Sequence, residues 1–82
     1  MRTILLYTKE NCHLCDIVKT HLADLAEKYP HTLQEVDITT DPDLYARYRY
    51  IIPVVQIGDQ TLKAPITPLD LRYALHKSQI DN

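Results

Sequence analysis

Cys12 and Cys15 are the only cysteines among 82 residues, with His13-Leu14 between them. If a helix opens at the first of them, residues three apart are neighbours on one face, close enough for their sulfurs to bond. Such a pair can pass between dithiol and disulfide. One thiolate attacks a substrate disulfide, and the second thiol then resolves the mixed disulfide. A free thiol of ordinary pKa is only about 3% thiolate at pH 7. A helix N-terminus favours the anion through its unpaired N–H groups and positive dipole end. Cys12 is therefore the expected nucleophile, and Cys15, one turn further in and less exposed, the resolving cysteine. Lys9 and His13 lie close enough in sequence to add positive potential. The competing use of two cysteines is half of a zinc site, completed by two of His13, His21, His31 and His76. None of these stands in His-x3–5-His spacing, and His13 lies inside the loop. A bridge closing so short a loop removes little unfolded-state entropy, so the pair reads as chemical rather than structural.

The elements needed to position that pair follow in chain order. Residues 3–8 are an apolar run without alternation, the pattern of a strand buried on both faces. Asn11 is the N-cap candidate for a helix whose apolar stripe falls at 14, 17, 18, 22, 25, 26 and 29, ended by Pro30. Residues 32–38 alternate, predicting a strand with one wet face at a sheet edge. Asp41 as N-cap, Pro42 at the first helical position and Asp43 on the dipole mark a short helix over 42–50. Residues 52–57 read as a strand with Pro53 near its start, where no ladder donor is needed. Gly58-Asp59 then turns the chain into a strand over 60–63. Thr67, Pro68 and Asp70 begin a last helix that frays after Lys77.

Strand-helix-strand over about 35 residues implies two parallel strands joined by a right-handed crossover. The later hairpin adds two antiparallel strands. The fold class is α/β: one thioredoxin-like domain over residues 1–82, a four-stranded mixed sheet flanked by three helices in the order β-α-β-α-β-β-α. Hydrophobic content of 45% and charged content of 24% are ordinary for a globular chain. The net charge of −2, with no basic run, gives no footprint for nucleic acid or an anionic membrane. The apolar run Ile4-Leu5-Leu6-Tyr7 is far too short for a signal-peptide core or a membrane span. A cytoplasmic monomer is expected.

Tyr7-Thr8-Lys9-x-x-Cys12-x-x-Cys15 followed by Ile52-Pro53-Val54 resembles the glutaredoxin branch of the thioredoxin superfamily. The lead-in Tyr7-Thr8-Lys9 is also similar to the glutaredoxin-like donors of ribonucleotide reductase. Asp41-Pro42-x-Leu44, Arg47-Tyr48, Ile52-Pro53-Val54-Val55, Gly58, Pro65-Ile66 and Leu71-x-x-Ala74-Leu75 resemble the short, bacterial-type glutaredoxin-like proteins. The resemblance spans about residues 3–76. It implies a cis bond between Ile52 and Pro53, set against the Cys12 helix start, with the backbone before the proline pairing with bound peptide or glutathione. It also implies that Lys9 meets a substrate carboxylate.

The chain departs from the thioredoxins proper: no Trp precedes Cys12, no Gly-Pro lies between the cysteines, and Leu6 stands where they keep a buried acid. The Gly-Gly pair with which glutaredoxins hold glutathione is also absent. Lys63-Ala64-Pro65-Ile66-Thr67-Pro68 occupies that region, and no Gly follows Gly58.

These residues lead to thiol-disulfide exchange on a protein disulfide or a glutathione mixed disulfide. No metal or bound organic cofactor is called for; glutathione or a thioredoxin-reductase-type flavoprotein supplies electrons. Lys9, His13, Ile52 and Pro53 are the expected substrate contacts. The alternative is a thioredoxin-fold binding or redox-regulatory module, including one holding a shared iron-sulfur cluster. The Tyr45-Ala46-Arg47-Tyr48-Arg49-Tyr50 run has rings and cations, but two cations are few for nucleic acid. Leu44 and Tyr48, four apart, are expected to pack inward with the arginines solvated. The same helix is also a candidate docking element for a protein partner, because it should flank the active-site loop.

Overall fold

The computed structural model describes residues 2–80. Strand β1 (Arg2–Thr8) leads into helix α1 (His13–Leu25), which returns the chain to strand β2 (His31–Asp37). A 3-10 turn (Ile38–Thr40) precedes helix α2 (Pro42–Tyr48). Strands β3 (Val54–Ile57) and β4 (Gln60–Lys63) form a hairpin, and helix α3 (Pro68–Ile80) closes the fold. The strand order is β2-β1-β3-β4, with β1 parallel to β2 and the other pairs antiparallel. This is the expected thioredoxin-like α/β architecture. The alternating β2 is at an edge and β1, with its apolar run Ile4-Leu5-Leu6-Tyr7, is interior, as their patterns require.

Side-chain alternation divides β1 between two layers. Ile4 and Leu6, opposite Ile57 and Val55, meet Val18 and Leu22 of α1 and Leu71, Ala74 and Leu75 of α3 in the main core. Tyr7 turns the other way, and its ring lies 4.9 Å from that of Tyr48 at the end of α2. Two helices thus cover one face and the short α2 covers part of the other.

Several boundaries differ from the sequence expectation, each for a local reason. Helix α1 stops at Leu25 rather than reaching Tyr29, and Ala26 N–H bonds Ala23 O at 3.3 Å in a tightened last turn. Tyr29 precedes Pro30, whose ring disfavours helical geometry in the residue before it. Tyr29 nevertheless stays in the core, 6% exposed. Strand β3 begins at Val54, because the Ile52–Pro53 bond is cis and Pro53 has no N–H for the ladder. Helix α2 ends at Tyr48 rather than residue 50, and α3 continues past Lys77 to Ile80.

The helix starts follow their sequence marks. The Asp41 carboxylate accepts from Asp43 N–H (2.9 Å) and Leu44 N–H (3.3 Å), with Pro42 in the first turn. At α3, Thr67 N–H donates to Asp70 Oδ2 (2.9 Å) and Asp70 N–H donates to Thr67 Oγ1 (3.1 Å), a reciprocal cap. The Thr67 N–H first, and the Thr67 side chain second, hold the Asp70 carboxyl below its ordinary value of 3.8. A depressed folded-state pKa stabilises the fold above the unfolded-state value, and that contribution disappears as pH falls through the folded value. Thr67→Ala keeps the backbone donor and removes the hydroxyl. It is expected to raise the Asp70 pKa part of the way back toward 3.8, read by an NMR titration of the side-chain carboxyl. An unmoved carboxyl would show that the hydroxyl has no such role.

Candidate active site

Cys12 and Cys15 form a disulfide where β1 gives way to α1, with Cα atoms 5.2 Å apart. Asn11, the expected N-cap, instead takes a left-handed conformation (φ 61°), which Asn tolerates better than most residues. That turn moves the cap one residue on. Cys12 is the N-cap, in extended geometry, and its sulfur accepts the Cys15 N–H at 3.2 Å. Asp16 N–H closes the first turn on Cys12 O at 3.1 Å. The sulfur thus stands where helices usually place a Ser, Thr, Asp or Asn oxygen.

The two sulfurs differ in access. Cys12 is half-buried, whereas Cys15 is 1% exposed. The Cys12 sulfur lies at the positive end of α1, with the Cys15 N–H aimed at it. His13 and Leu14, between them, are exposed. The large, open Leu14 side chain beside the disulfide gives that surface an apolar element.

Tyr7 pairs with Val54, so Ile52–Pro53 lies at the same end of the sheet as the cysteine loop. The cis bond implied by the resemblance is present. Pro53 is buried and Ile52 half-buried. Ile51 and Ile52 both donate N–H bonds to Tyr48 O, at 2.9 and 3.0 Å, which fastens this step to the end of α2. Tyr48 and Leu44 are half-buried and both arginines exposed, as their spacing predicts. Arg49 lies 5.7 Å from the Tyr45 ring and 4.6 Å from the Tyr50 ring, and Arg47 lies 5.8 Å from Tyr48.

Lys9 is exposed on the rim of a cleft of about 400 Å³ beside the cysteine loop. Glu10, Asp16, Lys19, Glu35 and Asp37 share it. Lys19 is paired with Glu35 at 3.3 Å, and Asp37 accepts from Thr39 Oγ1 (2.7 Å) and Thr39 N–H (2.9 Å). The Thr39 hydroxyl first and its N–H second hold the Asp37 carboxyl below 3.8. The sequence reading missed this acidic wall. Its signal was the alternation of β2, which turns Glu35 and Asp37 to the α1 side.

The histidines are dispersed. His31 Nδ1 bonds Tyr29 O at 2.7 Å, and the His76 ring lies edge-on to Tyr29 at 6.2 Å. Among the described residues, no three His, Cys, Asp or Glu side chains are grouped to hold a metal ion. No helix among them is long and apolar enough to cross a membrane. A second cis bond, Ala64–Pro65, occupies the segment that lacks the Gly-Gly pair.

The family model described as Glutaredoxin-like domain (DUF836) matches residues 3–81. Among solved structures, a structural-genomics target protein from X. campestris, XcR50, is 28% identical; the match covers 90% of this chain and 96% of that one, with a TM-score of 0.75. Oxidised thioredoxin O2 from Arabidopsis thaliana is 18% identical over 92% of this chain and 72% of its own, with a TM-score of 0.71. Oxidised mitochondrial thioredoxin 3 from Saccharomyces cerevisiae is 18% identical over 92% and 76%, with a TM-score of 0.68. The two thioredoxins share the fold.

Proposed function

Because the chain belongs to the glutaredoxin-like domain family and carries its Cys-x-x-Cys disulfide, we propose that it is a thiol-disulfide oxidoreductase working by a dithiol mechanism. The observation that carries the reading is the unequal access of two bonded sulfurs, one capping the helix and the other buried beneath it. In the reduced protein the Cys12 thiolate attacks a substrate disulfide. The substrate S–S bond breaks, one substrate sulfur leaves as a thiolate and takes a proton, and Cys12 is left in a mixed disulfide. Cys15, deprotonated, attacks the Cys12 sulfur, releases the second substrate thiol and restores the Cys12–Cys15 bond. Two electrons have passed to the substrate, and an external reductant returns them.

Substrates are disulfide-bearing proteins or glutathione mixed disulfides, and the setting is the cytoplasm. At the cysteine-loop end of the sheet, the half-buried Ile52, backed by the buried Pro53, is the step that meets the substrate, with the Ile52 N–H already engaged by Tyr48. Lys9 offers positive charge to a substrate carboxylate, and His13 contacts the substrate from within the loop.

Turnover of insulin and of a glutathione mixed disulfide, coupled in turn to glutathione with its reductase and to a thioredoxin-reductase-type flavoprotein, tests the proposal. Steady NADPH consumption with at least one donor is the expected result. The missing Gly-Gly pair, where the chain has Lys63-Ala64-Pro65-Ile66, favours the flavoprotein. No turnover with either donor would leave a binding or redox-regulatory module as the better reading.

A further inference from the structure

Helix α3 and the turn after α1 form an open groove of about 550 Å³, with Tyr29, Leu69 and Tyr73 in its lining. Its floor is the buried ring of Tyr29. On α3, Leu69 and Tyr73 are 71% and 67% exposed, an unusual state for two large apolar side chains four residues apart on one helix. Arg72 and His76 line the same groove from α3, and Lys28 from the turn after α1, its Nζ 5.8 Å from the Tyr29 ring. No Asp or Glu lines it, although the chain as a whole carries a net charge of −2. The groove therefore gathers aromatic surface and positive charge against the sign of the rest of the molecule.

We propose that this groove is a docking site for an acidic amphipathic helix of a partner protein. Leu69, Arg72, Tyr73 and His76 follow the i, i+3, i+4, i+7 spacing of one helical face, which continues along α3 for roughly 15 Å from Leu69 to Gln79. A guest helix of about three turns laid along that face meets it with its own i, i+4 apolar anchors. Its carboxylates reach Arg72 and Lys28, which set orientation and partner choice more than raw affinity. Neither cysteine, nor His13 or Leu14 between them, lines the groove. The proposal concerns binding alone and holds whether or not the disulfide turns over.

The probes are two synthetic helical peptides of about 15 residues, sharing an apolar face of Leu and Phe at i, i+4 spacing. One carries Glu on its polar face and the other Lys. In 15N-1H NMR titrations of the whole oxidised protein, the Glu peptide is expected to shift the Tyr29, Arg72, Tyr73 and His76 amides saturably. It should bind at least about tenfold more tightly than the Lys peptide. Arg72→Glu combined with Lys28→Glu should reverse that preference, and Tyr73→Ala should weaken both peptides. Circular dichroism of each variant reports whether it has folded, and Leu69→Ser provides a second apolar deletion should Tyr73→Ala fail to fold. Equal binding of both peptides, shifts confined to the cysteine loop, no saturable shifts, or occupation of the groove by a second copy of the chain in sedimentation would each overturn the proposal.

Discussion

Cys12→Ser is expected to abolish disulfide reduction, lowering kcat/KM by a thousandfold or more, on the order seen when a covalent nucleophile is lost. Cys15→Ser is expected to behave differently, because the first attack needs only Cys12. Challenged with a glutathione mixed disulfide or an aromatic disulfide, it should make the initial bond and hold it, giving a covalent adduct visible by mass spectrometry. The asymmetry rests on position. Cys12 is half-buried at the helix cap with the Cys15 N–H aimed at its sulfur, whereas Cys15 is 1% exposed. In the reduced wild type, iodoacetamide should accordingly label Cys12 at least about tenfold faster than Cys15. An adduct held by Cys12→Ser and not by Cys15→Ser would reverse the assignment of roles.

The second large effect is on stability. Leu22→Ala is expected to cost about 2–5 kcal/mol, a large share of the roughly 5–15 kcal/mol available to a small domain. Leu22 is fully buried, in the second half of α1, against the sheet residues Ile4, Leu6, Val55 and Ile57. Truncating it leaves a void that neighbours from three elements cannot all close, and Tm should fall by more than about 10 °C. Leu14→Ala, on the same helix but with its side chain 56% exposed, should stay within about 0.5 kcal/mol. Thermal melts of both variants make the comparison. A Leu22→Ala loss below about 1 kcal/mol would mean that α1 is held by something other than this core.

Much of the architecture was legible because local and global signals agree in this chain. The unbroken apolar run of β1 and the alternation of β2 distinguished an interior strand from an edge strand. Asp41-Pro42 and Thr67-Pro68 marked two helix starts that the structure realises through side-chain caps. The reacting pair was legible from composition alone, since the chain has no other cysteine. Three features were hidden, each for a physical reason. The left-handed turn at Asn11 moved the cap onto Cys12, a position hidden in the sequence because a sulfur is not among the usual cap acceptors. The last turn of α1 unwound under Pro30 while Tyr29 kept its place in the core, so the apolar stripe outlasted the helix that seemed to carry it. The acidic wall beside Lys9 is assembled from the loop after β1, from α1 and from β2, and its members become neighbours only once the strand register is known.

The cap at Cys12 makes one atom serve both the backbone and the electron pair. A thiolate at that position would be a charged acceptor of the Cys15 N–H, and a charged acceptor binds its donor more strongly than a neutral one. Through that sulfur the same turn is held by the S–S bond in the oxidised form and by this hydrogen bond alone in the reduced one. By linkage, a contact draws the couple toward its reduced form only so far as it binds the first turn of α1 more tightly in that form than in the bridged one. The first turn of α1 is thus a place where binding, without touching either sulfur, is coupled to the gain of electrons.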